Sequence, residues 1–315
     1  MRGIGLAIAF AAVAFTSDLF AADLIEAPPA ADPTAGAAAA AEDPVAAGVA
    51  ANDPLAADAP LDWRQIGRDA RYVFGRPAHL DTAGWVRLGV GVGAGASLYL
   101  VRDEARDVAL EHGGERWDDL LDDARLMGRL ATPLLAAGGF YLAGLARDSD
   151  RDRETAIVLM ESLAFSSAIA ATANYVVAAE RPEDGDDVTF FDRDGHSVSL
   201  DVTIAASMLA PIIDRHLRVR PEDRGSVRFW KRFGAWGLYG TAGLVALQRI
   251  NEDAHWLPDV YFGYLNGLCV GRMVVDSRRG GRAERDRAAG APGEAVARPA
   301  RVTMRPVPGG VRILF

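Results

Sequence analysis

An all-α fold is the class this sequence predicts, and three observations predict it. Six apolar stretches, near residues 84–101, 130–146, 155–179, 197–213, 233–247 and 260–275, are dominated by the strong helix formers Ala and Leu. Runs of β-branched residues alternating at period two are scarce, which argues against a sheet. Charged stretches, notably the one from Arg147 to Arg153, separate the apolar ones as loops would. A six-helix bundle follows, preceded by a shorter amphipathic helix over residues 61–74.

The ends of the chain read differently. Arg2 supplies a short basic region and Ile4 to Phe15 an uncharged apolar run, with small residues at Ala21 and Ala22. This is the pattern of a secretory signal over residues 1–22, too short to span a bilayer, which needs about 20 apolar residues. Between Ala27 and Pro60, 22 of 34 residues are Ala or Pro. Repeated prolines interrupt any helix there, so residues 23–60 read as a disordered tether. Residues 61–276 then form the helical domain, and 277–315 a flexible tail. Within the tail, Val302, Met304, Val311, Ile313 and Phe315 alternate around Pro308, Gly309 and Gly310, predicting a small β-hairpin.

Composition narrows the chemistry. The chain has 315 residues and a formal charge of −9, from 34 basic and 43 acidic side chains. A general nucleic-acid binder carries a basic excess, so no nucleic-acid partner is expected. The single cysteine, Cys269, excludes a disulfide framework and any zinc site of several cysteines. With five histidines and no ligand-like spacing among them, neither a metal centre nor another cofactor is expected.

Membrane signals conflict. The uncharged windows are short, and Arg87, Asp201 and Arg272 interrupt three of the six stretches. The loop from Arg218 to Arg232 carries six basic residues, and the tail begins Ser277-Arg278-Arg279. The positive-inside rule puts both in the cytoplasm, whereas a cleaved signal puts them outside. A bundle that does not fully span, soluble in the periplasm or associated with the envelope membrane, reconciles the two.

Three short elements fall at helix boundaries. The first runs from Asn174 to Arg181-Pro182. The second contains Arg193-Asp194-Gly195-His196-Ser197, and the third runs from Gln248-Arg249 through His255 to Asp259. His255 and Asp259 are four apart, so a helix starting near Pro258 brings carboxylate and imidazole together. Such a carboxylate fixes the ring tautomer and leaves the other nitrogen free to attack. Arg249 and Arg181 present forked cations matched to a phosphate-like oxyanion. Gly195-His196 at a helix start offers backbone N–H groups and a second imidazole able to protonate a leaving oxygen.

In order and spacing these elements resemble the type 2 phosphatidic acid phosphatase superfamily, which includes the vanadium haloperoxidases and bacterial acid phosphatases. The family pattern is K-x6-R-P, then P-S-G-H, then S-R-x5-H-x3-D. Arg181-Pro182, Gly195-His196 and Arg249/His255/Asp259 match it. Asn174 stands at the family lysine, Arg193-Asp194 at its proline and serine, and Gln248 at the last serine. The resemblance covers about residues 84–275 and implies the family's six-helix core. It also implies metal-independent hydrolysis of a phosphomonoester or of a lipid or isoprenoid phosphate. His255 would be the nucleophile and form a phosphohistidine, with Asp259 orienting it and His196 as general acid. Arg181 and Arg249, with Gly195, Asn174 and Asp194 at the remaining motif positions, would form the phosphate cradle. The departures leave a second reading open, a catalytically degenerate envelope protein of the same fold.

The remaining candidates have plainer expectations. His79, His112 and His216 stand outside any motif and read as surface or packing residues. Trp256, Tyr261, Phe262 and Tyr264 read as core before substrate groove. The acidic run from Asp118 to Asp123 reads as a solvated helix face, and Glu183, Asp184, Asp186 and Asp187 as an acidic loop. The glycines between Gly89 and Gly95 read as close helix packing.

Overall fold

A computed structural model describes residues 62–111, 114–185, 187–288, 303–307 and 310–314. The signal segment and tether (residues 1–60), His112 and Asp186 lie outside the described residues.

The chain is mostly helical, as predicted. Helix α1 (Trp63–Gly75) starts where the Asp62 side chain accepts from the Arg64 N–H at 2.9 Å. Helix α2 (Thr82–Leu98) is capped in the same way by Asp81. It continues through a 3₁₀ turn into α3 (Arg102–Glu111). Helices α4 (Glu115–Arg125) and α5 (Ala131–Arg147) meet at a bend of 58°. After a left-handed Asp148 (φ 50°), α6 (Asp150–Val176) runs the length of the core. Then come β1 (Val177–Ala179) and β2 (Val188–Phe190), α7 (Leu200–Ser207), α8 (Leu209–Ile212), α9 (Gly225–Asn251) and α10 (Leu257–Ala288).

Several boundaries correct the sequence reading. The third predicted helix stops at Val176, because residues 177–179 pair antiparallel with β2, Val177 opposite Phe190. The fourth starts at Leu200 rather than Ser197, so Gly195-His196 is not at a helix start. The stretch between the first two predicted helices is helical too, as α3 and α4. The acidic run lies on α4, but it is not wholly solvated. Asp118 accepts from Asn251 Nδ2 at 3.2 Å and Asp122 from Gln248 Nε2 at 3.1 Å. Helix α10 runs past residue 276, to Ala288. Side-chain pairs hold that continuation: Arg278 to Asp69 and Glu161, and Arg279 to Asp214. The hairpin read at the C-terminus is present as β3 (Thr303–Val307) and β4 (Gly310–Leu314), with Thr303 opposite Leu314.

The core centres on α7, whose residues from Val202 to Ser207 are all buried. Its backbone lies directly on α10, and glycine permits this. A Cβ at Gly263 would come within 2.6 Å of the Ser199 carbonyl oxygen, and one at Gly271 within 3.0 Å of the Ser207 carbonyl oxygen. Gly267 between them is equally closed by the Thr203 backbone. Spaced four apart, these glycines form one face of α10. That contact sets the segment before α7 against the first turn of α10, where the Ser199 N–H donates to the Asp259 carbonyl at 3.1 Å. In the earlier glycine-rich segment only Gly91 and Gly95 pack closely, against Leu265 and Phe262. Gly89 and Gly93 face open space.

Among the described residues two helical runs, Thr82–Glu111 and Asp150–Val176, are long and apolar enough to cross a membrane, or three if the bent α4–α5 pair counts. The first run exceeds the apolar window seen in the sequence because α2 and α3 continue one another.

Candidate active site

The turn between α9 and α10 is built to present His255. After Asn251 the chain reverses through left-handed Asp253 (φ 57°). The N–H groups of Ala254 and His255 both donate to the Arg249 carbonyl, at 3.1 and 3.2 Å. Arg106 of α3 clamps the turn with two bonds to Asp253, at 2.5 and 2.6 Å. Arg102 lies over the Trp256 ring, 4.5 Å from its centroid.

Asp259, in the first turn of α10, is 1% exposed. Its Oδ2 accepts from the Trp256 N–H at 3.0 Å and lies 3.7 Å from His255 Nδ1. That separation is longer than a hydrogen bond, and His255 Nδ1 and Asp259 Oδ1 are both buried with no bonded partner among the described residues. Burial pushes the Asp259 carboxyl above its ordinary range, with neighbouring His255 opposing the shift. The two side chains are therefore adjacent but not hydrogen-bonded.

His196 faces His255, ring centroids 6.2 Å apart and planes inclined at 76°. Its N–H donates to the Ala179 carbonyl at 3.0 Å, so this backbone donor serves the fold rather than a ligand. Gly195 is forced, because the Asn174 carbonyl and the Ala178 backbone occupy the space of any Cβ. Burial holds the His196 imidazole below its ordinary pKa, and the charges of Arg181 and His255 add to this. Asp184 and Asp194 pull the other way.

Asn174 braces the same segment. Its Oδ1 accepts from the Val198 N–H at 2.6 Å and from Ser197 Oγ at 3.2 Å, while Nδ2 donates to the Val198 carbonyl at 3.0 Å. The amide thus has an occupation other than the phosphate contact implied by the resemblance.

The two motif arginines differ. Arg181 is 40% exposed at its side chain, 3.4 Å from Glu183. Arg249 is 10% exposed; Nη1 donates to Glu252 at 2.6 Å and Nε lies 3.5 Å from Asp201. Arg125 meets the same two carboxylates, at 2.9 Å for Glu252 and 3.6 Å for Asp201. Burial lowers the Arg249 pKa, though a guanidinium stays charged in any case. Arg181 is close enough for its charge to act on both Arg249 and His196, while Arg249 meets His255 through its backbone carbonyl.

Of the sequence-derived site, the structure brings together His196, His255, Asp259, Arg181 and Arg249. Asn174 and Gly195 act in the scaffold. Asp194 is exposed, and its N–H turns back to Asp192 Oδ1 at 3.4 Å. Sequence reasoning missed Arg102, Arg106 and Arg125, which stand far from the motifs along the chain, and Asp201, four residues past Ser197. Glu252 and Asp253 were adjacent to Arg249 and so within reach of a local reading. His216 packs as expected: it stacks on Phe140, and burial pushes its pKa down to about 4. Trp256, Tyr261 and Tyr264 are buried and Phe262 partly so, which agrees with core packing. No cluster of three or more metal-ligating side chains occurs among the described residues.

The position of Asp194 yields a directional prediction. If a phosphate dianion approaches His255 as the resemblance implies, the exposed Asp194 carboxylate, whose charge reaches His196, opposes it. Asp194→Ser should therefore raise kcat/KM for a phosphomonoester several-fold at neutral pH, and a clear loss would show that the carboxylate has a positive role.

No family model, no curated protein and no solved structure matches this chain.

Proposed function

We propose that this chain is an exported phosphatase, acting without a metal on a phosphomonoester or a lipid or isoprenoid phosphate. Its helical domain, on this reading, is the six-helix core of the type 2 phosphatidic acid phosphatase superfamily. The observation that carries the proposal is the meeting of His255 and Asp259 with His196, beside Arg181 and Arg249, from three separate stretches of chain.

His255 attacks phosphorus with Nε2 while Asp259 holds Nδ1–H, and the bond from phosphorus to the alcohol oxygen breaks. His196 gives its proton to the departing oxygen. Water then attacks the phosphohistidine, His196 takes the proton back, and inorganic phosphate leaves. The guanidinium groups oppose the charge on the equatorial oxygens throughout.

Membrane association draws support from the outer faces. Trp85, Val86 and Val90 on α2, Leu134, Leu135 and Leu142 on α5, and Phe229, Trp230, Phe233 and Trp236 on α9 are all exposed. The aromatic group on α9 adjoins the basic residues between Arg218 and Arg232, a combination typical of a bilayer interface. Together with the signal-like N-terminus, this supports a periplasmic or envelope-bound location.

The test is hydrolysis of p-nitrophenyl phosphate and of phosphatidic acid, by purified protein and by periplasmic and membrane fractions. Activity should survive EDTA, and orthovanadate should inhibit as an analogue of the five-coordinate state. Because His196 must be protonated to act and its pKa is lowered, kcat should fall as pH rises through that depressed value. The optimum is accordingly acidic. Activity abolished by EDTA and restored by Mg²⁺ contradicts the proposal. One observation favours the second reading, a non-catalytic envelope protein of this fold: Glu252 and Asp201 already hold Arg249. Folded protein without hydrolysis of either ester would select it.

A further inference from the structure

A trough of about 1460 Å³ lies between α2 on one side and α6 and α10 on the other. It exists because α2 touches the rest of the fold along a narrow stripe, burying only Gly91, Gly95 and Leu98. Leu88, Val92, Ile169, Phe262, Leu265 and Met273 make its walls apolar. Leu88 and Val92 are 41% and 49% exposed, so the cleft is open along α2. The volume exceeds the roughly 300–1,000 Å³ of ordinary small-molecule pockets. A single alkyl chain would leave much of it empty.

The two ends differ in charge. At the start of α2 stand Arg76, Arg87 and Arg272, with two carboxylates, Asp276 and Asp81. Asp276 is engaged by Arg272 at 3.2 Å, and Asp81 caps α2 through the Gly84 N–H at 2.8 Å. Arg87 is exposed and has no ion-pair partner among the described residues. The other end closes on Tyr99, Val177 and Val198 and carries no charged lining residue.

We propose that this trough holds one anionic two-chain phospholipid drawn from the membrane, its head at Arg76, Arg87 and Arg272 and its chains along α2. The lipid is a bound structural ligand and not a substrate. Arg272 lies 13 residues beyond Asp259 on α10, about 20 Å at the helical rise of about 1.5 Å per residue. A head at Arg272 is therefore far outside the reach of His255. The inference stands independently of the phosphatase reading.

Cys269, the only cysteine, lines the trough and reports on it. Its surroundings push the thiol up to about 12, so alkylation is slow and depends on entry to the trough. The experiment uses the full chain, delipidated in a zwitterionic detergent, and measures maleimide alkylation of Cys269. Dioleoyl phosphatidylglycerol, dioleoyl phosphatidylcholine or palmitate is added in mixed micelles, and bound lipid is counted by native mass spectrometry. Phosphatidylglycerol should bind at one per chain and slow alkylation at least about tenfold, at concentrations where the other two have little effect. Arg87→Glu, a surface change that leaves the fold intact by circular dichroism, should raise the concentration needed about tenfold. His255→Ala should leave it unchanged. Equal protection by phosphatidylcholine would overturn head-group recognition, and equal protection by palmitate would overturn the two-chain ligand. Sensitivity to His255→Ala but not to Arg87→Glu would place the head at the phosphatase site and overturn the proposal. Absence of protection by phosphatidylglycerol would also overturn it.

Discussion

His255→Ala is expected to lower kcat by about 10⁴-fold or more, the scale seen when a nucleophile or its base is removed from a catalytic unit. The loss should be almost entirely catalytic. The imidazole contributes little to stability: its Nδ1 is 3.7 Å from Asp259 and has no bonded partner among the described residues, and the turn is held by backbone bonds to Arg249 and by the Arg106–Asp253 clamp. Thermal midpoint and circular dichroism should therefore match the parent protein. In the parent, quenching during turnover with alkaline detergent should trap phosphate on His255 that is stable to alkali and released by acid. Asp259→Asn should reduce kcat as well, since the amide cannot favour the same tautomer. An alanine variant of full activity would remove the proposed mechanism.

The second large effect concerns stability. Arg278→Leu should destabilise the fold by about 3–5 kcal/mol, the usual consequence of leaving buried charges without their partner. Arg278 reaches Asp69 at 2.7 Å and Glu161 at 2.6 Å, and the two carboxylates are 0% and 5% exposed. Gln65 and Ser277 complete the group with bonds to Asp69, at 2.7 and 2.6 Å. Together these side chains join α1, α6 and α10. For a domain of this size the loss corresponds to roughly 10 °C in Tm. Adding Glu161→Gln should restore part of it, because only one buried carboxylate then lacks a counter-charge. An unchanged Tm would mean that the continuation of α10 past residue 276 contributes nothing to the domain.

The pairing of Arg278 with Asp69 and Glu161 is not encoded locally along the chain, and α1 shows why. Its apolar residues predict an amphipathic helix with a greasy inner face. In the fold Trp63 and Phe74 are exposed, while Gln65, Asp69 and Val73 point inward. The helix is where the pattern places it, but its orientation follows Arg278, 209 positions after Asp69 along the chain. The fourth apolar stretch shows the reverse. Its burial was readable, but its start was not. Asn174 and the Asp259 carbonyl take up the backbone N–H groups of Val198 and Ser199, which postpones the helix to Leu200.

What the sequence by itself determined was local: helices from Ala and Leu content, the hairpin from alternation, and the His255–Asp259 pair from a spacing of four. Each of these depends on residues within a turn or two of one another, so periodicity carries the information. Only the tertiary structure decided the partners of Arg249, the brace that occupies Asn174 and the trough beside α2. It also decided which helix meets the glycine face of α10. Those outcomes depend on which buried charge or close backbone contact finds its complement across the fold. Desolvation makes an unmatched choice cost several kcal/mol, and no spacing along the chain encodes it.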